Sequence, residues 1–357
     1  MSTTENPPSS PGVSSRRPGG KIPPKLPLSV FSAAAPSPLT ADPTKVFPNA
    51  IVDANVNLEL AEWSEQAGDL TRKPISGVVL GLHTERGQPP LDEERFNELI
   101  QSSKVPITAI IAPTHLADRG ISKLPSYVTS SPSPVAFGVS FASGGTTPED
   151  IGLILSAGHV VDLDVPWNSQ QSESDSEWNA LEDFIGKAVN GGPEGSPKPT
   201  KAIVISNLLP PPHSLHVPIV KLMKSPMYEK YQEHISSLSF VPNVYLKFLP
   251  PNWEDPTPPS PAPFATTSET TGSSVTSQDA QAKEEWKRRV RIYLGPALDA
   301  FGYSRIIFGT SPSPSSTSAS NAHDWYTLAR EVVAEVGVEQ DCVDAIFSKN
   351  AQTVYAR

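Results

Sequence analysis

Eight short apolar runs, separated by segments with helical periodicity, constrain the fold of this chain more than any other feature. The runs span residues 51–58, 77–82, 107–112, 135–141, 159–165, 202–208, 244–249 and 306–308. Continuous apolar runs without polar alternation are typical of parallel strands buried on both faces. Eight such strands alternating with helices over about 310 residues predict a closed (β/α)₈ TIM barrel. An open doubly wound sheet is the alternative if one run is not a strand.

The segments between the runs carry helix signals. Asp92 precedes Phe96, Leu99 and Ile100, which recur at helical spacing. Residues 147–150, Thr-Pro-Glu-Asp, combine an N-cap, a proline at the first helical position and an acidic first turn. Further apolar stripes predict helices around Trp178, Trp286, Trp325 and Val343.

Proline is concentrated in particular stretches and divides the chain. The sequence contains 40 prolines in 357 residues, and many lie in the first 45 residues. We predict a disordered Pro/Ser-rich tail over residues 1–45 and a barrel domain over residues 46–357. Low-complexity insertions are expected near residues 255–283 and 311–322. Both follow strands, so both are expected as flexible loops at the C-terminal rim, where active sites of such barrels are built.

Charge and apolar content exclude several classes of function. The net charge of −10 argues against a nucleic-acid-binding surface, which requires a basic face. No apolar run of about 18 residues is present, so no membrane span is expected. The N-terminus lacks the apolar segment of a secretory signal. The single cysteine, Cys342, cannot form an internal disulfide, is expected to pack in a helix, and fits a reducing, cytoplasmic location.

The first apolar run ends in Asp53-Ala54-Asn55-Val56-Asn57. This stretch resembles the first-strand signature of the amidohydrolase superfamily, Asp-x-His-x-His, with both histidines replaced by asparagine. Residues 137–147, 202–207 and 305–314 resemble later strands of dihydroorotases and of the lactonase- and decarboxylase-like branch, and residues 345–355 resemble the end of that branch. The similarity covers roughly residues 48–357 and implies the barrel of a metal-dependent hydrolase.

The resemblance also implies where the metal ligands of active members lie. Those ligands are two first-strand histidines, often a lysine on strand four, a histidine on each of strands five and six, and an aspartate on strand eight. The matching positions here are Asn55, Asn57, Ser140, Asp162, Asn207 and Ser311. Five of the six are neutral and bind divalent metals poorly, so no metal and no other cofactor is expected. Glu59 stands where dihydroorotases carry a substrate-binding arginine.

These replacements predict a catalytically inactive amidohydrolase-like protein that binds a small polar ligand or a protein partner. The ligand-binding candidates are the polar residues at strand ends: Asp53, Asn55, Asn57, Asp162, Asp164, Asn207, Lys247 and Ser311. Asp53 is also expected to accept hydrogen bonds from backbone amides at its strand end. Three tryptophans that follow strands, Trp63, Trp167 and Trp253, either line a pocket or pack in the core.

Two alternatives keep catalysis, as a hydrolase of a cyclic amide or lactone. In the first, a relocated metal site is formed by His83, His115, Asp162 and Asp164. In the second, Asp162, Asp164 and Lys247 perform metal-free chemistry, with Lys247 forming a Schiff base if it is desolvated. The opposing interpretation is that Lys247 pairs with one of the two carboxylates and fills the barrel.

Two further features lie outside the barrel strands. His213 and His216 follow three prolines and predict an exposed loop rather than a zinc motif. Residues 23–27, Pro-Pro-Lys-Leu-Pro, are compatible with a polyproline II ligand. A scaffold that acts through its Pro/Ser-rich tail is therefore the third functional hypothesis.

Overall fold

The computed structural model describes residues 42–57, 60–67, 70, 75–82, 92–113, 128, 130–141, 146–190, 201–260 and 276–356. The tail predicted for residues 1–45 lies outside this part except for its last residues, of which Pro43–Lys45 form a 3₁₀ turn. Arg330 holds the turn, because its Nη1 donates to the carbonyl oxygens of Pro43 and Val46, both at 2.8 Å.

Eight parallel strands form the sheet, and each coincides with a predicted apolar run to within a few residues. They are β1 (Ile51–Val56), β2 (Ile75–Gly81), β3 (Ile107–Pro113), β4 (Val135–Ser140), β5 (Val161–Asp164), β6 (Ile203–Leu209), β7 (Val244–Phe248) and β8 (Ile306–Phe308). Each strand pairs in parallel with the next along the chain. Just beyond β8, the Ser311 amide donates to the Asn55 carbonyl at 2.9 Å, which brings the last strand against the first. The arrangement is a nearly closed (β/α)₈ barrel, as predicted, and not the doubly wound alternative.

Helices cover the outside of the barrel between the strands. In chain order they are α1 (Leu60–Ala67), α2 (Glu93–Ser102), α3 (Pro148–Ser156), α4 (Ser169–Ser172), α5 (Asp175–Asn190), α6 (Ile219–Leu222), α7 (Pro226–Ser239), α8 (Ser277–Phe301), α9 (Ala322–Glu335), α10 (Gln340–Asp344) and α11 (Asn350–Tyr355). A π-helical turn, Ala345–Lys349, joins α10 to α11. Cys342 lies in α10 and is partly exposed. Within the described residues, none of the helices combines the length and the apolar character needed to span a membrane.

The predicted helix starts are confirmed by their caps. Asp92 accepts a hydrogen bond from the Arg95 amide at 2.9 Å at the start of α2. Thr147 and Asp150 form a reciprocal capping box at the start of α3, with Pro148 at the first helical position. These caps satisfy amides that have no partner inside the helix, which is why the helices begin where they do.

Two apolar clusters show which strand residues face inward. The larger cluster contains the buried faces of the helices and therefore lies between the helices and the sheet. The smaller one contains strand residues, such as Val52 and Val204, together with Ala351, Val354 and Tyr355 of α11, and it fills the barrel. Asn350 Nδ2 donates to the carbonyl at the start of β8, that of Ile306, at 2.8 Å. Helix α11 thus closes the N-terminal end of the barrel.

The two predicted rim insertions lie in different surroundings. Of residues 255–283, those from Ser277 onward belong to α8, which begins with a Thr276–Asp279 capping box, and residues 261–275 lie outside the described part. The segment predicted as a flexible loop after β8 makes hydrogen bonds to the loop after β7. Thr317 and Ser318 bond to Asn252 Oδ1 at 3.3 Å. These contacts tie the segment to the loop that follows β7.

Candidate functional site

A column of polar side chains runs through the middle of the barrel. Lys247 Nζ of β7 contacts Asp162 Oδ2 of β5 at 2.6 Å and donates to Asn55 Oδ1 of β1 at 3.0 Å. From the opposite end, the Tyr355 hydroxyl of α11 donates to the same Asp162 oxygen at 2.5 Å. We call Asn55, Asp162, Lys247 and Tyr355 the central column. Lys247 therefore pairs with a predicted carboxylate and fills the barrel, as the second interpretation of this residue expected.

Every member of the central column is buried. An ion pair removed from water is maintained only where its remaining polar atoms are also satisfied. Asp162 meets this condition through Lys247, Tyr355 and the Ser206 hydroxyl, which donates to Oδ1 at 3.4 Å. Burial and the charge of Asp162 raise the pKa of Tyr355 well above its usual value, so this hydroxyl remains a proton donor in the column.

Asn55 links the central column to the chain after β8. Its Nδ2 donates to the carbonyl oxygens of Ser311 at 2.8 Å and Pro312 at 3.0 Å. The pairing of β1 with β2 is irregular between Asp53 and Val56, and such irregularities re-aim side chains. Simple alternation along β1 would place Asn55 on the same face as Asp53. At this irregularity Asn55 instead points toward Lys247. Both Nδ2 hydrogens and one acceptor position of Oδ1 are thus used by the protein itself.

The segment after β8 lies over the mouth of the barrel. We call residues 309–321 the β8 loop. Its Ser315 hydroxyl donates to Asp164 Oδ1 at 3.0 Å. Burial raises the pKa of Asp164 to about 7, the Ser315 and Ser313 hydroxyls lower it, and the nearby charge of Asp162 raises it. Both predicted carboxylates of β5 are therefore covered, Asp162 by Lys247 and Asp164 by the β8 loop.

Asp53 has the role expected for a carboxylate at a strand end. Its Oδ1 accepts from the amides of Thr310 at 2.9 Å and Asn55 at 3.1 Å, and its Oδ2 accepts from Trp63 Nε1 at 3.0 Å and from the Thr310 hydroxyl. Burial raises the pKa of Asp53 to about 6, against the effect of these hydrogen bonds. Asp53 thus joins β1, α1 and the end of β8, and it does not face the central column.

The remaining predicted positions do not converge on one point. Asn207 has a φ of 65°, and its Nδ2 donates to the carbonyls of Val165 at 2.7 Å and Trp167 at 3.3 Å. Asn57 is exposed just after β1, while Ser140 and Ser311 are partly buried at the ends of their strands. The structure therefore brings together Asn55, Asp162 and Lys247, with Asp164 beside them, but not the full set of predicted strand-end residues.

The residues at the ligand-matching positions do not fit a divalent metal. Asn55 Oδ1 and Asp162 Oδ2 both point at the Lys247 ammonium, a cation that would repel a metal placed between them. Asn207 presents its amide to backbone carbonyls. Across the residues that the structure describes, no group of three or more His, Cys, Asp and Glu side chains is arranged to hold a metal ion. His83 and His115, the predicted relocated ligands, lie outside the described residues.

Three contributors to this region were not among the sequence-based candidates. Tyr355 gives no local signal, because a tyrosine in a C-terminal helix resembles an ordinary core residue. Ser315 lies in a Ser/Pro-rich stretch whose composition is typical of disorder. Thr310 lies two residues after the β8 run, and the closure of the barrel brings it next to Asp53.

The prediction for the 213–216 loop is half wrong. His216 is exposed, but His213 is buried, because Arg289 of α8 reaches the loop from the helix layer. Arg289 Nη1 donates to His213 Nε2 at 3.1 Å, and its Nη2 donates to the carbonyls of Leu215 and Val217. Burial, and then the charge of Arg289, lower the pKa of His213 to about 3. The three tryptophans that follow strands, Trp63, Trp167 and Trp253, are buried and pack in the core.

Comparison with known proteins defines the class of this barrel. No family model matches the chain, and no curated protein matches it. An amidohydrolase from Burkholderia multivorans with bound zinc superposes with a TM-score of 0.51 at 11% identity, covering 86% of this chain and 99% of that chain. A crystal structure of a Burkholderia multivorans amidohydrolase with bound HEPES gives a TM-score of 0.51 at 12% identity over the same shares.

At such low identities the similarity defines the fold alone. The chain shares the (β/α)₈ barrel fold of these two amidohydrolase structures. Within that class, it is distinguished by the central column, where the Lys247 ammonium lies between two of the positions that the resemblance matches to metal ligands.

Proposed function

We propose that this chain is an amidohydrolase-like protein that has lost metal-dependent hydrolysis and acts by binding a small polar ligand or a protein partner. The observation that carries this proposal is the contact of Lys247 with both Asn55 and Asp162. A catalytic zinc site needs about three protein ligands and an open position. Here Asn55 and Asp162 contact an ammonium, and the side-chain amides of Asn55 and Asn207 donate to backbone carbonyls.

The chemistry of the mouth supports the same proposal. Metal-dependent hydrolysis requires a group that lowers the pKa of water from about 15.7 to about 7, and a base that takes up its proton. At the position of the strand-eight aspartate this chain has Ser311, whose hydroxyl is not a base at neutral pH. An anionic substrate would also meet the carboxylates of Asp162 and Asp164.

The β8 loop restricts how a ligand can reach the polar side chains at the mouth of the barrel. The amides of Asn55 and Asn207 already donate to protein carbonyls. A small polar ligand that approaches Asp164 would replace the Ser315 hydroxyl, whereas Asn57 is exposed beside β1 without such displacement. A protein partner would instead contact the outer surface of this mouth. We assign these roles to a cytoplasmic protein, in keeping with its single cysteine.

Elemental mass spectrometry tests the loss of the metal. The full chain, purified without a histidine tag or chelators, is incubated with excess zinc and desalted. We expect less than about a tenth of an equivalent of zinc, manganese, iron or nickel to remain, because a bound metal needs a preformed set of charged or imidazole ligands. His216→Gln is the matched control, since exposed His216 and Glu254 are 3.5 Å apart and can take up surface metal.

Retention of about one equivalent in the His216→Gln control would overturn the proposal. Loss of that metal on His83→Ala or His115→Ala would then assign it to the relocated site. A panel of lactones and cyclic amides tests the metal-free alternative: turnover that disappears in Asp164→Asn would show that Asp164 acts in catalysis. The scaffold hypothesis is tested separately by deleting residues 1–45, which must abolish partner binding if the tail carries it.

A further inference from the structure

Lys247 lies where its ammonium can compensate the buried negative charge of Asp162. Its ammonium lies between Asn55 Oδ1 at 3.0 Å and Asp162 Oδ2 at 2.6 Å, on two of the strands that hold the metal in the resembling enzymes. It has no solvent exposure. Buried carboxylates are kept ionised only beside a cation or strong donors. Asp162 would have neither sufficient charge compensation nor water without Lys247.

The surrounding interior is built to make room for these long side chains. The inward-facing residues of the barrel include small ones: Ala54, Ala109, Ala136 and Ala202. Barrels of this kind usually fill their interior with layers of bulky branched side chains. Here Lys247 enters from β7 and Tyr355 from α11, with the ammonium 5.8 Å from the centre of the tyrosine ring. The small residues thus leave space inside the barrel for the long side chains of Lys247 and Tyr355.

We propose that the Lys247 ammonium is a built-in cation that occupies the place of the hydrolase metal, and that the cavity left by its removal binds a small alkylammonium ion. A covalently attached cation cannot dissociate, so the barrel folds without taking up an ion. An ammonium offers hydrogen-bond donors but no open coordination position. It therefore supplies charge compensation without generating hydroxide.

Truncation and replacement of the cation test this proposal on the full chain. We expect Lys247→Ala to lower the midpoint of thermal unfolding by roughly 5–10 °C, because Asp162 loses its buried partner. Ethylammonium chloride should recover a large part of this loss in a saturable manner, since ligands that bind the folded state raise the midpoint. Sodium chloride at equal concentration and ethanol, which has similar size but no charge, should not.

A matched variant separates the cavity from a general salt effect. Lys287→Ala removes an ammonium that contacts Glu331 and Glu335 in the helix layer, outside the barrel interior. Its unfolding midpoint should respond alike to ethylammonium chloride and sodium chloride. Equal effects of the two salts on Lys247→Ala as well would overturn the proposal.

A second measurement applies if Lys247→Ala does not fold. Lys247→Met keeps the side-chain volume but leaves the Asp162 carboxylate without its cation. In this background, Asp162→Asn removes an unpaired charge and should raise the unfolding midpoint. In the wild-type background, Asp162→Asn removes the partner of Lys247 and should lower the midpoint. The same effect of Asp162→Asn in both backgrounds would show that the two groups are not coupled and would refute the built-in cation. These outcomes concern stability alone, whereas the metal content of the wild-type chain tests the proposed function.

Discussion

The central column and the outer helix layer both contain ion pairs, in very different surroundings. In the column, Lys247 and Asp162 have side chains that are 0% and 7% exposed and a separation of 2.6 Å. Between α8 and α9, Lys283, Lys287 and Arg291 contact Glu331 and Glu335, and the exposed fractions range from 8% for Lys287 to 43% for Arg291. The helix layer has more ion pairs, but the ion pair in the column is less exposed to solvent.

The difference shows that the number of ion pairs is a poor guide to what holds this barrel together. In the helix layer Lys287, Glu331 and Glu335 each have more than one partner, and every charge keeps some contact with water, so the loss of one group is compensated. In the column, the loss of one group leaves the other buried and unpaired, which is strongly unfavourable. We therefore expect the column to be intolerant of single changes and the helix layer to tolerate them.

The largest effect is expected from Asp162→Ala. This change leaves the Lys247 ammonium with Asn55 Oδ1 and leaves the Tyr355 hydroxyl without its acceptor. We expect a loss of about 3–5 kcal/mol in the free energy of unfolding, measured by urea denaturation. A loss under about 1 kcal/mol would show that water reaches the column in solution and would remove the contrast with the helix layer.

An intermediate effect is expected at His213, which lies against the helix layer yet is buried. Its pKa of about 3 in the folded chain is below the ordinary 6.5. As the pH falls below the ordinary value, the unfolded chain takes up a proton that the folded chain does not. Stability is therefore lost on acidification, by about 2 kcal/mol between about pH 6 and about pH 4.5.

This acid sensitivity is measured as a difference between variants. Asp53 and Asp164 have raised pKa values of about 6 and about 7 and act in the opposite direction over this range, so the wild-type profile alone does not isolate His213. His213→Gln, which keeps an acceptor for Arg289, should lose less stability on acidification than the wild type. His216→Gln, whose parent side chain is 91% exposed, should match the wild type. Identical profiles for His213→Gln and the wild type would contradict a buried neutral His213.

The smallest effect is expected from Glu335→Gln in the helix layer. Arg291 loses a charged partner at 3.0 Å, while Lys287 keeps Glu284 at 3.0 Å and Glu331 at 3.4 Å. We expect a loss of about 0.5–1 kcal/mol in urea denaturation, which becomes smaller in high salt. A salt-independent loss of more than about 2 kcal/mol would place this network in the same class as the central column.

The fold was predictable because its signal is local. The run at 306–308 became β8 with the same limits, and the run at 107–112 became β3 with one residue added. Strands buried on both faces must be apolar throughout, so the sequence of each strand records its environment. The pairing of Lys247 with a β5 carboxylate was also foreseeable, because buried charges in a closed barrel require each other.

The details of the site depend on contacts that no local pattern records. Asn207, which has a positive φ, donates to the carbonyls of Val165 and Trp167, and Asn55 turns inward at an irregularity of strand pairing. The β8 loop appeared disordered by composition, yet Ser315 bonds to Asp164, which is 151 residues earlier in the chain. Such partners are defined only after the barrel has closed.

The contacts of Asn55 also limit which substitutions could build a metal site at this place. Gly309 has no room for a side chain, because an added Cβ would lie 2.7 Å from the Asn55 Cβ and 2.9 Å from its backbone nitrogen. Replacing Asn55 with histidine would place an imidazole against the Lys247 ammonium and remove the donor from the Ser311 and Pro312 carbonyls. The first step toward a metal site is thus harmful before any metal can bind. A metal centre at this place would require Lys247, Asn55 and the β8 loop to change together.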